Sequence, residues 1–219
     1  MDILLVSATE KEAEALKKHL RPGTGLADNL ERFSYKNHSV DILITGAGML
    51  QTAWHMGKVL AKNGYTLAIN SGIAGSFTEK IKTGDVVQVT EDILAELGAE
   101  DGARFLPVEE LAIPAKSRFC ATGAVPNAIL DSLPEAKGIT VNRVHGDEES
   151  IRAIKQRLQP DIESMEGAAF FYACEMAGLH CIQLRAISNK IEKRNRESWN
   201  IPLAIQNLNR KLISILDTL

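Results

Sequence analysis

The chain is short of the features that most often announce a function. Only three cysteines, Cys120, Cys174 and Cys181, stand among 219 residues. They are odd in number and widely spaced, and no pair has metal-ligand spacing, so neither a disulfide framework nor a zinc site is expected. A reducing cytoplasm is the setting that fits them, with Cys174 and Cys181 as buried packing thiols. The five histidines form no H-x-x-x-H cluster. Lys and Arg total 25 against 28 Asp and Glu, a net charge of −3, so there is no basic excess to attract nucleic acid. No apolar run approaches the roughly 20 residues needed to cross a bilayer, and no membrane association is expected. Ile3-Leu4-Leu5-Val6 reads as a strand directly after Met1, which leaves no room for a signal peptide. Neither a full G-x-G-x-x-G fingerprint nor a Walker A loop is present, and the expectation is an enzyme with no metal and no cofactor.

What remains is an ordinary globular composition, 45% hydrophobic and 24% charged. A chain of this size fits a single domain over 1–219, burying about 70% of its unfolded surface. Strand-like and helix-like segments alternate. Strands are expected at Asp2–Ser7, Phe33–Tyr35, Val40–Thr45, Leu67–Asn70, Asp85–Asp92, Ile139–Val144 and Cys181–Ile187. Helices are expected at Glu10–His19, Met49–Lys62, Glu148–Leu158, Glu166–Ala177 and Asn200–Asp217. A hairpin turns at Lys36-Asn37-His38, and residues 93–136, with four prolines, read as irregular. This order predicts an α/β fold of three layers, a mixed and largely parallel central sheet between helices.

Ligands in such folds sit beyond the carboxyl ends of strands. Four such ends carry suggestive residues: Ala8-Thr9, Gly46-Ala47-Gly48, Ser71-Gly72-Ile73-Ala74-Gly75 and Ser188-Asn189. The two glycine-rich stretches read equally as tight turns or as backbone that lets a ligand approach. Thr9-Glu10-Lys11-Glu12 fits a capping box, and the same Glu12 fits a general base at a strand mouth; the two readings are compatible. Glu166 opens a helix, where the macrodipole favours a carboxylate by about 0.3–1 kcal/mol. Its neighbours Met165 and Gly167-Ala168-Ala169 are apolar or small, so that carboxylate needs a hydrogen-bonding partner, a role a sugar diol would fill. Lys193, Arg194 and Arg196 form either a solvated loop or, with Trp199, a cover over an anionic ligand.

Three motifs carry a family resemblance along nearly the whole chain. They are Ser164-Met165-Glu166-Gly167-Ala168-Ala169 followed by Arg185-Ala186-Ile187-Ser188, Asn70-Ser71-Gly72-Ile73-Ala74-Gly75 followed by Gly84-Asp85-Val86-Val87, and the opening Ile3 to Glu12. Together they resemble the nucleoside phosphorylase and nucleosidase superfamily. The resemblance implies Glu12 as the water-activating base, Glu166 as the ribose-hydroxyl carboxylate and Met165 as a sugar contact. Trp199 falls where adenosine-type relatives have a phenylalanine beside the sugar. Ala47, Ile73, Ala74, Gly75 and Ser188 complete the implied substrate-contacting set. The implied partner is a small nucleoside, and the implied assembly a homodimer or larger homo-oligomer.

Three departures sharpen the resemblance. Asn189 stands where adenine-cleaving relatives have aspartate. Its amide can donate to the O6 or N7 acceptor of a 6-oxopurine, which makes Asn189 a candidate catalytic residue at the leaving base. Asn70 and Ile73 stand where phosphorylases place arginine and serine to bind phosphate, which favours water as nucleophile. Gly146-Asp147 is followed by Glu148-Glu149-Ser150, without the usual base-stacking aromatic. The segment from Arg194 to Pro202 resembles a branch of the family that cleaves an inosine-like nucleoside bearing a carboxyphenyl ketone at its 5′ carbon, on a route to menaquinone. On that reading Arg194 and Arg196 hold the distant carboxylate. The rivals are a nucleoside phosphorylase, an adenosine-type nucleosidase, and a nucleoside-binding module without catalysis.

Overall fold

The computed structural model describes residues 1–27, 29–123 and 125–219. Its centre is β1 (Asp2–Ser7), which sends Leu4 and Val6 to one face and Ile3 and Leu5 to the other, all fully buried. A strand apolar on both faces belongs in the middle of a layered sheet. α1 (Glu10–His19) follows, then β2 (Arg21–Ala27), β3 (Leu30–Tyr35) and β4 (His38–Ile44), with β2–β3 and β3–β4 antiparallel. α2 (Met49–Leu60) leads to β5 (Leu67–Ser76) and β6 (Val86–Leu94). A separate small hairpin, β7 (Gly98–Asp101) with β8 (Arg104–Pro107), precedes β9 (Arg118–Cys120), α3 (Ala128–Asp131) and β10 (Glu135–Thr140). The last third holds α4 (Glu148–Leu158), β11 (Ile162–Ser164), α5 (Gly167–Ala177), β12 (Cys181–Lys190) and α6 (Ile201–Thr218).

The large sheet runs β11-β10-β6-β12-β5-β1-β4-β3-β2, with β9 on β6. β1 is parallel to β4 and β5, β12 to β5, and β10 to β6 and β11. β11 also pairs antiparallel with the end of β5, so β11-β10-β6-β12-β5 closes into a ring. Helices α1 and α6 pack on the face that carries Ile3 and Leu5, through Ala13, Leu16, Leu208 and Leu212. Helices α2 and α5 pack on the other, through Met56, Val59, Phe170 and Phe171. α5 is buried on most of its circumference, which explains its run of small and apolar residues. α6 begins where the Asn200 side chain accepts the Leu203 N–H at 3.1 Å and Pro202 sits in the first turn. A cap of this kind contributes about 1 kcal/mol. The three-layer α/β architecture is the expected one, and Cys174 and Cys181 are buried in it while Cys120 is exposed.

Several boundaries differ from expectation. Ser71–Gly75 is not a turn. β5 continues through it, because Leu184–Ile187 and Asn189 of β12 pair alongside in register from Ser71 to Gly75. Ser188-Asn189 likewise lies within β12, beside a bulge between Ile187 and Asn189. The strand expected at Ile139–Val144 starts and ends earlier, at Glu135–Thr140, since its pairing with β6 begins at Glu135. Residues 93–136 are not irregular throughout: the end of β6, β7, β8, β9, α3 and the start of β10 lie there. The hairpin turn is Lys36-Asn37, with Lys36 at φ 50° and His38 already in β4.

Candidate active site

Glu12 is both a cap and something more. It stands in the first turn of α1, 5% exposed. Its Oε2 accepts the Thr9 N–H and the Thr9 hydroxyl, both at 2.8 Å. Its Oε1 crosses to β5 and accepts the Ile73 N–H at 3.1 Å. A helix cap has no need of that second bond. Burial raises the Glu12 pKa above the usual 4.5, opposed by the Thr9 and Ile73 hydrogen bonds and by the charge of Arg185. The backbone beneath it is held from α6, where the buried Asn209 accepts the Leu16 N–H at 2.9 Å and donates to the Glu12 carbonyl at 2.9 Å. A buried carboxylate with an elevated pKa, held by Thr9 and by Ile73 of β5, suits a general base.

Glu166 is the N-cap residue of α5. Its Oε1 accepts the Gly48 N–H at 3.0 Å, and its Oε2 lies 3.3 Å from the Met165 nitrogen. Gly48 has φ 102°, a conformation that favours glycine and turns its N–H toward the carboxylate. Arg185 lies behind both acids, 1% exposed. Its Nη2 donates to Asn70 Oδ1 at 2.6 Å and lies 3.9 Å from Glu166 Oε2. Gly72 shows why these groups can meet. A Cβ on it would sit 2.8 Å from Arg185 Nη1 and 3.0 Å from Glu12 Oε1. The missing side chain is therefore the space in which the Arg185 cation approaches Glu12.

Three residues further along β5 from Gly72, about 10 Å on at the usual strand rise, Gly75 reaches the second half of the site. A cleft there is lined by Gly75, His145, Glu163, Asn189, Arg194 and Trp199, with a volume of about 60 Å³. Arg194 lies over the Trp199 ring, 5.5 Å from its centroid. The Ser188 hydroxyl lies 2.8 Å from Asn189 Oδ1 and 3.2 Å from the Ala74 carbonyl oxygen. Asn189 Nδ2 donates to the Lys190 carbonyl at 2.9 Å. At about 10–15 Å³ per water-sized probe, this cleft holds a few waters, so a larger ligand enters only if the segment carrying Arg194 and Trp199 gives way.

The expected residues thus fall into two linked groups. Glu12, Glu166, Met165 and Ile73 gather around Arg185, and Gly75, Ser188, Asn189, Arg194 and Trp199 gather at the cleft. Ala74 joins the two along β5. Ala47 is exposed in the loop that presents Gly48. Arg196 is exposed in a 3₁₀ turn and does not line the cleft. Arg185 and Gly72 stand within the sequence motifs without being marked there as parts of the site, and Asn209 lies outside them. One signal was available for Arg185: Gln183 and Arg185 alternate within an otherwise apolar strand and so share a face. Gln183 belongs to a neighbouring polar knot. Its Nε2 donates to Asp92 Oδ2, and Thr140 donates to Asp92 Oδ1, both at 2.8 Å. Burial pushes the Asp92 carboxyl up to about 6.

The profile of the Phosphorylase superfamily matches residues 2–219. Over 214 residues the chain is 29% identical to the futalosine hydrolase of Acidothermus cellulolyticus, covering 94% of this chain and 86% of that one. Over 181 residues it is 30% identical to the futalosine hydrolase of Thermus thermophilus, covering 80% of each. A solved structure of a Helicobacter pylori 5′-methylthioadenosine/S-adenosylhomocysteine nucleosidase superposes with a TM-score of 0.86. It covers 99% of this chain and 98% of that one at 16% identity, which is a likeness of fold.

Proposed function

Since the chain belongs to the phosphorylase superfamily, we propose that it is an N-glycosyl hydrolase that cleaves futalosine with water, releasing hypoxanthine. The observation that carries the choice of water is the bond from the Ile73 N–H to Glu12 Oε1. A phosphate nucleophile would need that donor, and a carboxylate already occupies it and repels a second anion. The choice of base rests on Asn189 in the cleft beside Gly75. The choice of futalosine is supported by the relatives from Acidothermus and Thermus.

In this reading Glu12 orients a water toward C1′ and takes its proton. Glu166 holds the ribose hydroxyls, and its charge stabilises the cation that develops as the C1′–N9 bond lengthens. Arg185 keeps both carboxylates tolerable in the interior without touching substrate. Asn189 donates to the O6 or N7 acceptor of the base. Trp199 and Arg194 close over the cleft, and Arg194 offers a charge to the distant carboxylate.

The test is a panel of futalosine, aminofutalosine, inosine and methylthioadenosine, each with and without phosphate. Futalosine should release hypoxanthine fastest, in phosphate-free buffer, at a rate that phosphate leaves unchanged. A ribose 1-phosphate product would overturn hydrolysis. Equal cleavage of aminofutalosine would overturn the base assignment.

A further inference from the structure

Cleaving a 6-oxopurine nucleoside has a requirement that Asn189 does not meet. The departing base carries negative charge until a proton reaches it, and an amide has no ionisable proton to transfer. Asn189 is also largely satisfied by its neighbours, Ser188 and the Lys190 carbonyl. The cleft contains another group with the required chemistry. His145 lines it, 15% exposed, and its Nδ1 is held by the Glu163 carboxylate, whose side chain is 3% exposed. The other oxygen of Glu163 accepts the His145 main-chain N–H at 2.9 Å, so one carboxylate fixes both the backbone and the ring. Phe77 packs on the ring edge-on, with centroids 6.1 Å apart. Among the described residues none bonds His145 Nε2.

The sheet register sets this pair against Asn189. Glu163 of β11 pairs with Gly75 on one side, and Asn189 of β12 pairs with Gly75 on the other. Residues paired directly across strands share a sheet face, and strands lie about 4.8 Å apart, so Glu163 and Asn189 stand about 10 Å apart across a residue without a side chain. A Cβ on Gly75 would lie 2.7 Å from Ile191 Cγ1 and 3.3 Å from Asn189 Nδ2, so the glycine leaves its space to these two side chains. The other charged groups on the cleft are Lys190, Glu192 and Arg194. None of these is buried, and none has a partner that fixes a proton on a chosen atom inside the cleft.

Resting on the proposed cleavage of a 6-oxopurine nucleoside, we infer that His145 is the catalytic acid that protonates the leaving base, with Glu163 as its positioning residue. Glu163 accepts the Nδ1 proton, so the second proton of the charged ring sits on Nε2. As the C1′–N9 bond breaks, its electron pair passes into the purine. The Nε2 proton moves to the O6–N7 edge, and hypoxanthine leaves neutral. Water forms the new C1′–O bond and gives its proton to Glu12. The ring then regains a proton from solvent and Glu12 returns one.

Two substrates separate this role from a structural one. Futalosine needs a proton on its base. The base of 7-methylinosine already carries positive charge and leaves without one. His145→Phe keeps an aromatic ring over the cleft and removes the proton. It should lower kcat for futalosine by about 10²–10⁴-fold, the usual span for general acid catalysis, and leave 7-methylinosine cleavage near that of the unaltered enzyme. Glu163→Gln keeps an oxygen for the His145 N–H and removes the charge. It should show the same split with a smaller loss, and it carries the test if His145→Phe melts early. Undiminished futalosine cleavage by His145→Phe would mean that the ring only stacks. Equal losses on both substrates, or a loss confined to KM, would equally remove His145 from the chemistry. If the unaltered enzyme cleaves no 6-oxopurine nucleoside, the proposed function falls; if it does and His145→Phe matches it, only the assignment of the acid falls.

Discussion

Replacing Glu12 by glutamine separates its cap from the base proposed for it. The Thr9 N–H bonds Oε2 and the Ile73 N–H bonds Oε1. An amide has a single acceptor oxygen, so in Glu12→Gln one of these main-chain donors must face an NH2 group. An unsatisfied buried donor costs about 1–3 kcal/mol. At about 2–4 °C per kcal/mol for a chain of this length, the ceiling is a fall of roughly 2–12 °C in Tm. The real fall should be smaller, because glutamine also removes the burial penalty on the charged form. Activity should fall much further. Losing the base should reduce kcat by about 10²–10⁴-fold, or roughly 3–5 kcal/mol of barrier. Hypoxanthine release, measured well below both melting temperatures, reads the second quantity without the first. The acid side of the unaltered enzyme's profile should also be displaced. Burial raises the Glu12 pKa, so the base is lost on acidification at a pH above 4.5. Stability moves the opposite way: the contribution of Glu12 is full below 4.5 and is lost as pH rises through its elevated folded value. A folded Glu12→Gln enzyme with a lowered Tm and full kcat would refute the base and leave only the cap.

Gly72→Ala should place a methyl 2.8 Å from Arg185 Nη1 and 3.0 Å from Glu12 Oε1, forcing the two apart; displacements near 1 Å cost about 10²-fold in rate, and unchanged kcat in a folded variant would show that the approach of Arg185 is unimportant. Asp92→Asn should raise Tm at pH 8 and lose that advantage by pH 4. The native carboxyl, raised to about 6, contributes stability that is present below 3.8 and lost as pH rises through 6. The gain is at most about 3 kcal/mol, and the new amide can donate to Gln183 Oε1, which has no partner among the described residues; an equal gain at both pH values would refute the linkage. Arg194→Ala should raise KM for futalosine by about 10–150-fold, the value of a charge-assisted hydrogen bond, with less effect on inosine. Arg196→Ala should change neither, because Arg196 stands outside the cleft.

The parts of this molecule that sequence reading found are those whose information is local. Thr9-x-x-Glu12 marks a cap, and the structure contains it. The unbroken apolar run Ile3-Leu4-Leu5-Val6 marks a strand, and the structure buries all four residues inside the sheet. The elements it missed depend on partners. Arg21-Pro22-Gly23-Thr24-Gly25 has the composition of a turn, yet β3 draws it into an exposed edge strand with shifts of register. Ser71 to Gly75 also has the composition of a turn, but between neighbours its backbone groups are satisfied only as strand. Glycine is used there for the space it leaves, since Gly72 admits Arg185 to Glu12 and Gly75 admits Ile191 and Asn189 beside the cleft.

The same distinction explains why half the site is invisible to spacing. Glu12 and Ile73 are 61 residues apart, and Gly48 and Glu166 are 118 apart. The first pair meets because β1 and β5 are adjacent in the sheet, the second because α2 and α5 pack on the same face of it, and nothing in the segments themselves states either adjacency. Closure of the ring by β11 is the extreme case. Three residues, Ile162–Ser164, are too few to announce a strand, but their antiparallel pairing with β5 sets Glu163 opposite Gly75. A slip of one residue there would turn Glu163 to the other face and carry the anchor of His145 out of the cleft. The bulge between Ile187 and Asn189 has a similar consequence on the other side. Arg185, paired with Gly72, and Asn189, paired with Gly75, are four residues apart on β12 but three apart on β5. The extra residue changes which face Asn189 presents relative to Arg185, so one strand can send a cation behind the carboxylates and an amide into the cleft.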